Sequence, residues 1–256
     1  MLITSRDNPL FKRLKKLAGL ARARREARMT LLDGEHLIQA YLDAGGMPAT
    51  LLHAESCAAQ VWQPLAARCG GIKTTALADA LFAELSPVES PTGVLAEAAW
   101  LNPGVPENLP LVLVLEDIQD PGNLGAMLRT GAAAGATLAL LSKGCHDPWS
   151  PKALRGGQGA QFVLPLQTGV DIAQWLGGFA GRSIALALNR DASLYTQDLR
   201  GPLALVVGNE GAGISAEVLA AVDTVAQIPM PGKVESLNAA AALAVAAFEA
   251  VRQRSQ

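Results

Sequence analysis

Two continuous apolar runs, each followed by a glycine-bearing loop, constrain this chain more than any other feature. Leu111–Leu115 precedes the loop at 120–125, and Leu203–Val207 precedes the loop at 208–213. Five apolar residues without polar alternation are typical of a strand buried on both faces, as in parallel sheets. A shorter run at 225–228 leads into a third glycine-bearing segment. The second half of the chain is therefore predicted to be an α/β domain built on a parallel sheet.

The three segments share a position relative to the predicted sheet. Loops at the carboxyl ends of parallel strands meet at one edge, where α/β folds bind ligands. We therefore expect the three segments to converge on one small-molecule site. None has the Gly-x-Gly-x-x-Gly pattern with a well-placed acidic residue, which argues against a nucleotide-dependent oxidoreductase. The segments read DPGNLG at 120–125, GNEGAG at 208–213 and IPMPGKVESLN at 228–238.

The composition narrows the class of protein. Half of the 256 residues are hydrophobic, which suffices for a folded core and is unlike a disordered chain. No apolar run is long enough for a membrane span, and the N-terminus has no apolar signal-peptide stretch. The cysteines Cys57, Cys69 and Cys145 show no Cys-x-x-Cys spacing. We therefore expect a cytoplasmic protein without disulfides, a bound metal or a membrane anchor.

The net charge of −2 hides a basic N-terminus. Residues 1–30 carry nine basic and two acidic side chains, which leaves a net charge of −9 for the rest of the chain. The Asn-Pro pair at 8–9 predicts a helix start, because asparagine caps helices and proline suits the first helical position. One face of this helix is predicted to hold Leu10, Leu14, Leu17 and Ala21.

The basic side chains of this helix predict contact with a nucleic acid. Few acidic residues within the run are available for i,i+4 pairs, so the alternative of an ordinary solvated helix face is weaker. A membrane-surface helix is disfavoured, because the apolar face is narrow and lacks tryptophan. The predicted contacts are Arg6, Lys12, Arg13, Lys15 and Lys16.

The chain divides into two predicted domains. A small α/β domain covers residues 1–97, a linker rich in proline and glycine covers 98–110, and the parallel-sheet domain covers 111–256. Within the first domain, helices are predicted at 34–42, 61–69 and 77–85, with strands at 50–52 and 93–96.

The order and spacing of the three loop segments resemble the SpoU branch of the SPOUT RNA methyltransferases, from Leu111 to the C-terminus. The N-terminal part resembles the ribosomal-protein-L30e-like RNA-binding domain that precedes the catalytic domain in many members. The residues that carry this second resemblance are ITSRDNP at 3–9, DG at 33–34 and SPTGVLA at 90–96.

The resemblance implies a fold and a reaction. It implies a parallel-sheet domain whose C-terminal segment forms a deep trefoil knot, an exception to the usual absence of knots. It also implies a homodimer that binds S-adenosylmethionine in the knot and methylates the 2′-hydroxyl of RNA ribose, with ribosomal RNA favoured over transfer RNA. A catalytically silent RNA-binding or ribosome-assembly factor is the alternative on the same fold.

Individual residues match the family's functional positions. The positions that contact the methyl donor through backbone atoms or lie in the same loop are Gly208, Ile228, Met230 and Leu237. The catalytic set is Arg129, Asn123, Glu210, Ser236 and Asn238. Arg129 matches the catalytic arginine. Two roles stay open for it: a base in an unusual environment, or a cation that pins the nucleotide and stabilises a developing alkoxide.

The chain departs from the family pattern in two places. Many members read Arg-Ala-Ser-x-Gly where this chain has RGGQG at 155–159, so Arg155 survives as an RNA-phosphate ligand but the serine is missing. After Asn238, the usual Val-Ser is replaced by two alanines. The resulting small-residue helix suits close packing at a dimer contact. The sequence leaves open which nucleotide is modified, and whether the modification is housekeeping or confers antibiotic resistance.

Overall fold

The computed structural model describes residues 2–86, 88, 91–188 and 191–256, which form two compact units. The first unit comprises the chain up to Asn102 together with Asp147–Val163. The second comprises Pro103–His146 and Leu164–Gln256. In these described ranges, no helix is both long enough and apolar enough to cross a membrane. Cys57, Cys69 and Cys145 are free thiols.

Strands and helices largely alternate along the chain. In chain order the strands are β1 (Leu2–Ile3), β2 (Met29–Asp33), β3 (Thr50–Ala54), β4 (Thr74–Leu77), β5 (Val94–Ala99), β6 (Leu111–Leu115), β7 (Leu138–Ser142), β8 (Leu166–Val170), β9 (Arg182–Leu186), β10 (Leu203–Val207) and β11 (Thr224–Ala226). The helices are α1 (Pro9–Gly19), α2 (Ala21–Ala27), α3 (Glu35–Asp43), α4 (Ala59–Arg68), α5 (Asp79–Leu85), α6 (Pro121–Ala133), α7 (Pro151–Gly157), α8 (Ala160–Val163), α9 (Ile172–Gly177), α10 (Ala216–Ala221) and α11 (Ala239–Arg254).

The first unit is a mixed sheet in the order β1-β4-β3-β5-β2, where only β5 runs antiparallel to its neighbours. Helix α1 begins where the sequence predicts, because the side chain of Asn8 accepts hydrogen bonds from the first free backbone N–H groups. Its buried face contains Phe11, Leu14 and Leu17. Ala21 was predicted on this face but lies in α2, since the chain turns at Leu20 in an extended conformation.

Three strands of this sheet, β1, β2 and β4, are absent from the sequence prediction. Leu77 in particular was predicted to begin a helix, but it ends β4 and the helix starts at Asp79. Leu77 is held as a strand residue by pairing with Ile3 and Ala54 on either side. Such pairing joins distant parts of the chain and leaves no mark on the local pattern. Ser90, in the motif at 90–96, lies outside the described residues.

The segment Asp147–Val163 packs into the first unit although it follows β7 of the second. Its first residue forms a buried ion pair with Arg24 of α2, at 2.7 Å between Nη2 and Oδ2. The hydroxyl of Thr30 donates to the carbonyl of Trp149 at 2.6 Å, and the ring of Trp149 stacks on Trp100. Helix α7 therefore lies against β2, an edge strand of the first sheet.

The second unit confirms the predicted parallel sheet. Its strands run in the order β11-β9-β10-β6-β7-β8, and every pairing is parallel. The two predicted apolar runs are the adjacent central strands β10 and β6, paired in register from Leu203 with Leu111 to Val207 with Leu115. All ten of these residues are buried, which explains their unbroken apolar sequence. The connections from β6 and β10 leave in opposite directions, so the sheet reverses its strand order between them.

Candidate active site

The carboxyl ends of β9, β10 and β11 surround a cavity of about 500 Å³. The loop after β10 supplies one wall through residues 207–214, and the segment after β11 supplies another through Ile228 and Met230. Residues 186–188 after β9 and the first turn of α11 complete the lining. The volume lies within the range of roughly 300–1,000 Å³ that is typical of small-molecule sites.

Asn209 organises the loop after β10. Its side-chain oxygen accepts hydrogen bonds from the backbone N–H groups of Gly211 and Ala212, at 2.8 and 2.9 Å. Its amide nitrogen donates to the carbonyl of Asp117, which follows β6. The same loop also requires glycine at position 208, because a Cβ there would collide with the backbone carbonyl of Gly213. A side chain at 208 would therefore disturb the loop itself, in addition to any ligand beside it.

All four residues predicted to contact the methyl donor line this cavity, namely Gly208, Ile228, Met230 and Leu237. Gly208 is buried, whereas Leu237 keeps 39% of its surface exposed. Leu188, which also lines the cavity, is 49% exposed. Large apolar side chains that face an open cavity gain free energy when a ligand covers them. The walls are therefore suited to an apolar ring system.

Three residues of the predicted catalytic set form one chain of side-chain hydrogen bonds. The amide nitrogen of Asn123 donates to Oε1 of Glu210 at 2.8 Å. The amide nitrogen of Asn238 donates to Oδ1 of Asn123 at 3.1 Å. We call these three residues the polar relay. Because both ends of the Asn123 amide are engaged, its orientation and that of the Glu210 carboxylate are fixed.

Helix starts hold the polar relay in place. Asn123 lies in the first turn of α6, where its backbone N–H donates to the capping side chain of Asp120 at 2.7 Å. Asn238 caps α11, and its side-chain oxygen accepts hydrogen bonds from Ala240 and Ala241. Both Glu210 and Asn238 also line the cavity, so the relay forms part of its polar rim.

Arg129 and Ser236 occupy different places in this arrangement. Ser236 is exposed and lines the cavity. Arg129 lies on α6, six residues beyond Asn123, which corresponds to about 9 Å along the helix axis. Its side chain is exposed, does not line the cavity, and has no hydrogen-bond or ion-pair partner in the described part of the chain. The guanidinium is therefore free to contact a second ligand.

Most of the predicted RNA-binding residues at the N-terminus are paired with carboxylates. Arg6 and Lys15 both bind Glu84 of α5. Arg13 binds Glu97 of β5 at 2.7 Å, and Lys12 binds Asp7. Lys16 is the member of this set without such a partner among the described residues. Asp7 is a local partner, whereas Glu84 and Glu97 come from distant parts of the chain.

The pKa values of these carboxylates depend on their surroundings. Hydrogen bonds from Lys15 and then Arg6 lower the pKa of Glu84. Burial raises the pKa of Glu97, and the charge of Arg13 and its hydrogen bond oppose this effect. Arg13 therefore offsets part of the cost that burial imposes on the charged form of Glu97.

Arg155 projects from α7 and belongs to the first unit. Its side chain is exposed. Burial raises the pKa of Asp33, and the hydrogen bond from Ser86 and then the charge of Arg155 oppose this effect. The structure also explains why this chain has Gly157 where many family members have serine. A Cβ at Gly157 would collide with the side-chain amide of Gln161, which is buried and donates to the carbonyls of Pro148 and Ala153.

The sequence prediction missed one wall of the cavity. Residues 186–188 and Ile214 line it but were not predicted. The apolar stretch at 184–188 could have indicated them, because it has the same strand-then-loop form as the three recognised segments. Among the described residues, no group of three or more His, Cys, Asp or Glu side chains is placed to hold a metal ion.

Two family models match the chain. The SpoU rRNA Methylase family model matches residues 110–248, which include the cavity and the polar relay. The MRM3-like substrate binding domain model matches residues 8–96. Together the two matches extend over both halves of the chain.

Known proteins similar to this chain belong to the same class of enzyme. The 23S rRNA (guanosine-2′-O-)-methyltransferase RlmB of Xylella fastidiosa is 34% identical over 87% of this chain and 91% of its own. A crystal structure of an RNA 2′-O ribose methyltransferase has a TM-score of 0.86, with 31% identity over the full length of both chains. An AdoMet-bound rRNA methyltransferase from Sinorhizobium meliloti has a TM-score of 0.83 and 27% identity, covering 98% of this chain and 97% of its own. The predicted parallel sheet is present, the segments at 208–213 and 228–238 line the cavity, and Asn123 connects the first segment to both of them. The chain therefore belongs to the SpoU rRNA methylase family.

Proposed function

We propose that this protein transfers a methyl group from S-adenosylmethionine to a ribose 2′-hydroxyl of ribosomal RNA. The observation that carries the proposal is the junction of an apolar-walled cavity with the polar relay at its rim. A methyl donor in the cavity and an acceptor at the polar relay would therefore lie next to each other. The relatives point to the same reaction, since they include a 23S rRNA guanosine 2′-O-methyltransferase and an RNA 2′-O ribose methyltransferase.

The cavity fits S-adenosylmethionine by its chemistry. Leu188, Ile214 and Leu237 provide apolar walls for the adenine ring, and the loop at 208–213 provides backbone groups for its polar edge. A phosphate-binding loop is not needed, because this donor carries no phosphate. When bound, S-adenosylmethionine supplies a methyl group activated by a sulfonium. A homologous rRNA methyltransferase structure contains AdoMet, which supports the choice.

The residues of this chain then act on the acceptor. Transfer of a methyl group requires the ribose oxygen to lie in line with the breaking bond, so positioning contributes much of the rate. Glu210, oriented by Asn123, has a second carboxylate oxygen that can accept a hydrogen bond from the 2′-hydroxyl. A guanidinium donates hydrogen bonds and accepts none, so we assign Arg129 to the RNA phosphate or the developing alkoxide. The proposal includes a cytoplasmic location, which a ribosomal RNA substrate and three free thiols both support.

Calorimetry and methyl mapping test the function directly. The purified protein should bind S-adenosylmethionine but not NAD, and should incorporate methyl groups into ribosomal RNA at 2′-hydroxyl positions. Methyl groups found on bases would contradict the ribose assignment. Binding of both donor and RNA without any transfer would instead favour a catalytically silent RNA-binding factor.

Leu237 is expected to contribute to donor binding. Leu237→Ala removes apolar surface that the donor would cover, so the Kd of S-adenosylmethionine should rise roughly fivefold, or about 1 kcal/mol. Val234→Ala is the matched control, because Val234 is a 68% exposed apolar residue of the same loop that does not line the cavity. Calorimetry should find the control unchanged. Equal effects of the two substitutions would contradict the placement of the donor.

Asn238 is expected to serve catalysis through the relay as well as stability through its cap. Asp at this position still caps α11 but cannot donate to Asn123, so Asn238→Asp should slow methyl transfer about tenfold or more. Its free energy of unfolding should stay within about 0.5 kcal/mol of the wild type. Asn238→Ala loses both functions and should also lose about 0.5–2 kcal/mol of stability. Wild-type transfer rates for Asn238→Asp would remove the relay from the mechanism.

The proposal includes a homodimer and a trefoil-knotted C-terminus. Support for the dimer comes from α11, an alanine-rich helix on which Phe248 remains 49% exposed in the single chain. Light scattering during size-exclusion chromatography should give twice the mass of one chain, and Phe248→Glu should lower it towards that of a monomer. A monomeric wild type would contradict the dimer.

A further inference from the structure

The basic residues of the first unit fall into two groups, according to whether their side chains form ion pairs. One group forms ion pairs with carboxylates and includes Arg6, Lys12, Arg13, Lys15 and Arg22. The other group is exposed and has no hydrogen-bond or ion-pair partner in the described ranges of the chain. Its members are Lys16, Arg25, Arg28, Lys73, Lys152 and Arg155. A phosphate can engage the second group without first displacing a carboxylate.

The unpaired cations are not spread evenly over this unit. Arg28 directly precedes β2, and Arg25 lies one turn earlier on α2. Lys16 lies at the end of α1, where its carbonyl accepts a hydrogen bond from Leu20 at the turn into α2. Helices α1, α2 and α7 all pack against β2, and α7 carries Lys152 and Arg155. Lys73 is the exception, because it precedes β4, three strands away from β2.

Buried contacts hold these elements in fixed positions. The Arg24–Asp147 ion pair joins α2 to the segment that leads into α7, and both side chains are less than a tenth exposed. Nη1 of Arg24 also donates to the carbonyl of Leu17 at 2.7 Å, which ties α2 to α1. The cations on the three helices are therefore presented on a preorganised scaffold. Preorganisation lowers the entropic cost of binding a polyanion.

We infer that the cations around β2, contributed by Lys16, Arg25, Arg28, Lys152 and Arg155, form the surface that binds the RNA backbone. The inference rests on the proposed RNA substrate and moves the contact surface away from the paired residues of α1. Paired cations gain less from phosphate, since each new contact replaces an existing ion pair. Asp33 is the buried carboxylate that faces Arg155, and it is bonded to Ser86, so it leaves the exposed guanidinium available.

Two triple variants of equal net charge test the surface. The first, Lys16→Gln with Arg25→Gln and Lys152→Gln, removes three cations around β2. The matched control, Arg6→Gln with Lys15→Gln and Lys73→Gln, removes two paired cations and the distant unpaired one. RNA affinity is measured for both over a range of salt concentrations, with S-adenosylmethionine affinity as a check on folding of the second unit. Circular dichroism checks the first unit.

The first variant should bind ribosomal RNA at least about tenfold more weakly at about 0.1 M salt. Its plot of log affinity against log salt should be shallower by roughly 2, because each lost phosphate contact removes about 0.7–0.9 from the slope. The control should keep the wild-type slope. Equal losses in the two variants, or a greater loss in the control, would overturn the inference.

Further outcomes separate this surface from the function itself. If the wild-type protein methylates RNA but the first variant keeps the wild-type salt dependence, the proposed surface is refuted and the function is not. A wild-type protein that binds no RNA would refute both. If the triple variant fails to fold, the single variants Lys16→Gln and Lys73→Gln make the same comparison between two exposed, unpaired lysines. The slope should then fall by just under 1 for Lys16→Gln alone.

Discussion

Arg129→Ala is expected to slow methyl transfer about 10²- to 10³-fold and to leave S-adenosylmethionine affinity nearly unchanged. The magnitude corresponds to roughly 2.7–4 kcal/mol, as is usual for a lost donor to a developing oxyanion. The structure makes this a clean experiment. The guanidinium is exposed, does not line the donor cavity, and has no described partner whose loss would disturb the fold. Single-turnover rates at saturating RNA separate transfer from binding.

Arg129→Lys provides the chemical control. Lysine keeps the charge but loses the planar fork that holds two oxygens at once, so it should restore little of the rate. Full rescue by lysine would indicate that charge alone is needed. Near wild-type transfer by Arg129→Ala would remove Arg129 from the mechanism altogether.

Arg24→Ala is expected to destabilise the first unit by about 3–5 kcal/mol. The substitution leaves the carboxylate of Asp147 buried without its partner, and the cost of an unpaired buried charge exceeds the net value of the pair. Tryptophan fluorescence during urea unfolding reports mainly on this unit, because Trp62, Trp100 and Trp149 lie within it and the fourth tryptophan, Trp175, lies in the second unit. Trp175→Phe in the same background removes the contribution of the second unit. Since the two units need not unfold together, the transition is assigned from this signal.

Removal of both charges should behave differently. Arg24→Met combined with Asp147→Leu replaces the ion pair with apolar side chains and should recover most of the lost stability. A loss below about 1 kcal/mol for Arg24→Ala would show that water reaches Asp147. A double variant no more stable than the single one would show that Arg24 acts through its bonds to the carbonyls of Leu17 and Ala18.

The sequence predicted the parallel-sheet unit better than the mixed sheet. Leu111–Leu115 and Leu203–Val207 are buried on both faces, so burial alone leaves a readable apolar run in each strand. By contrast, β4 has only four residues and alternates buried with half-buried positions. Its identity depends on pairing with β1 and β3, which lie far away in the sequence. Local sequence patterns indicate which residues are buried, but they do not indicate which distant strands pair.

The amino-acid sequence by itself determined the family, the strands that lead into the site and the residue types around the cavity. Those features are visible in the local sequence, because a strand buried on both faces must be apolar and a loop that approaches another backbone needs glycine. Only the tertiary structure decided which of these side chains meet. In the structure, Asn123, Glu210 and Asn238 form one relay. Arg6 and Lys15 form ion pairs with Glu84, and α7 packs against β2. Each of these contacts joins residues far apart in the chain, and the charge of a side chain does not reveal its partner.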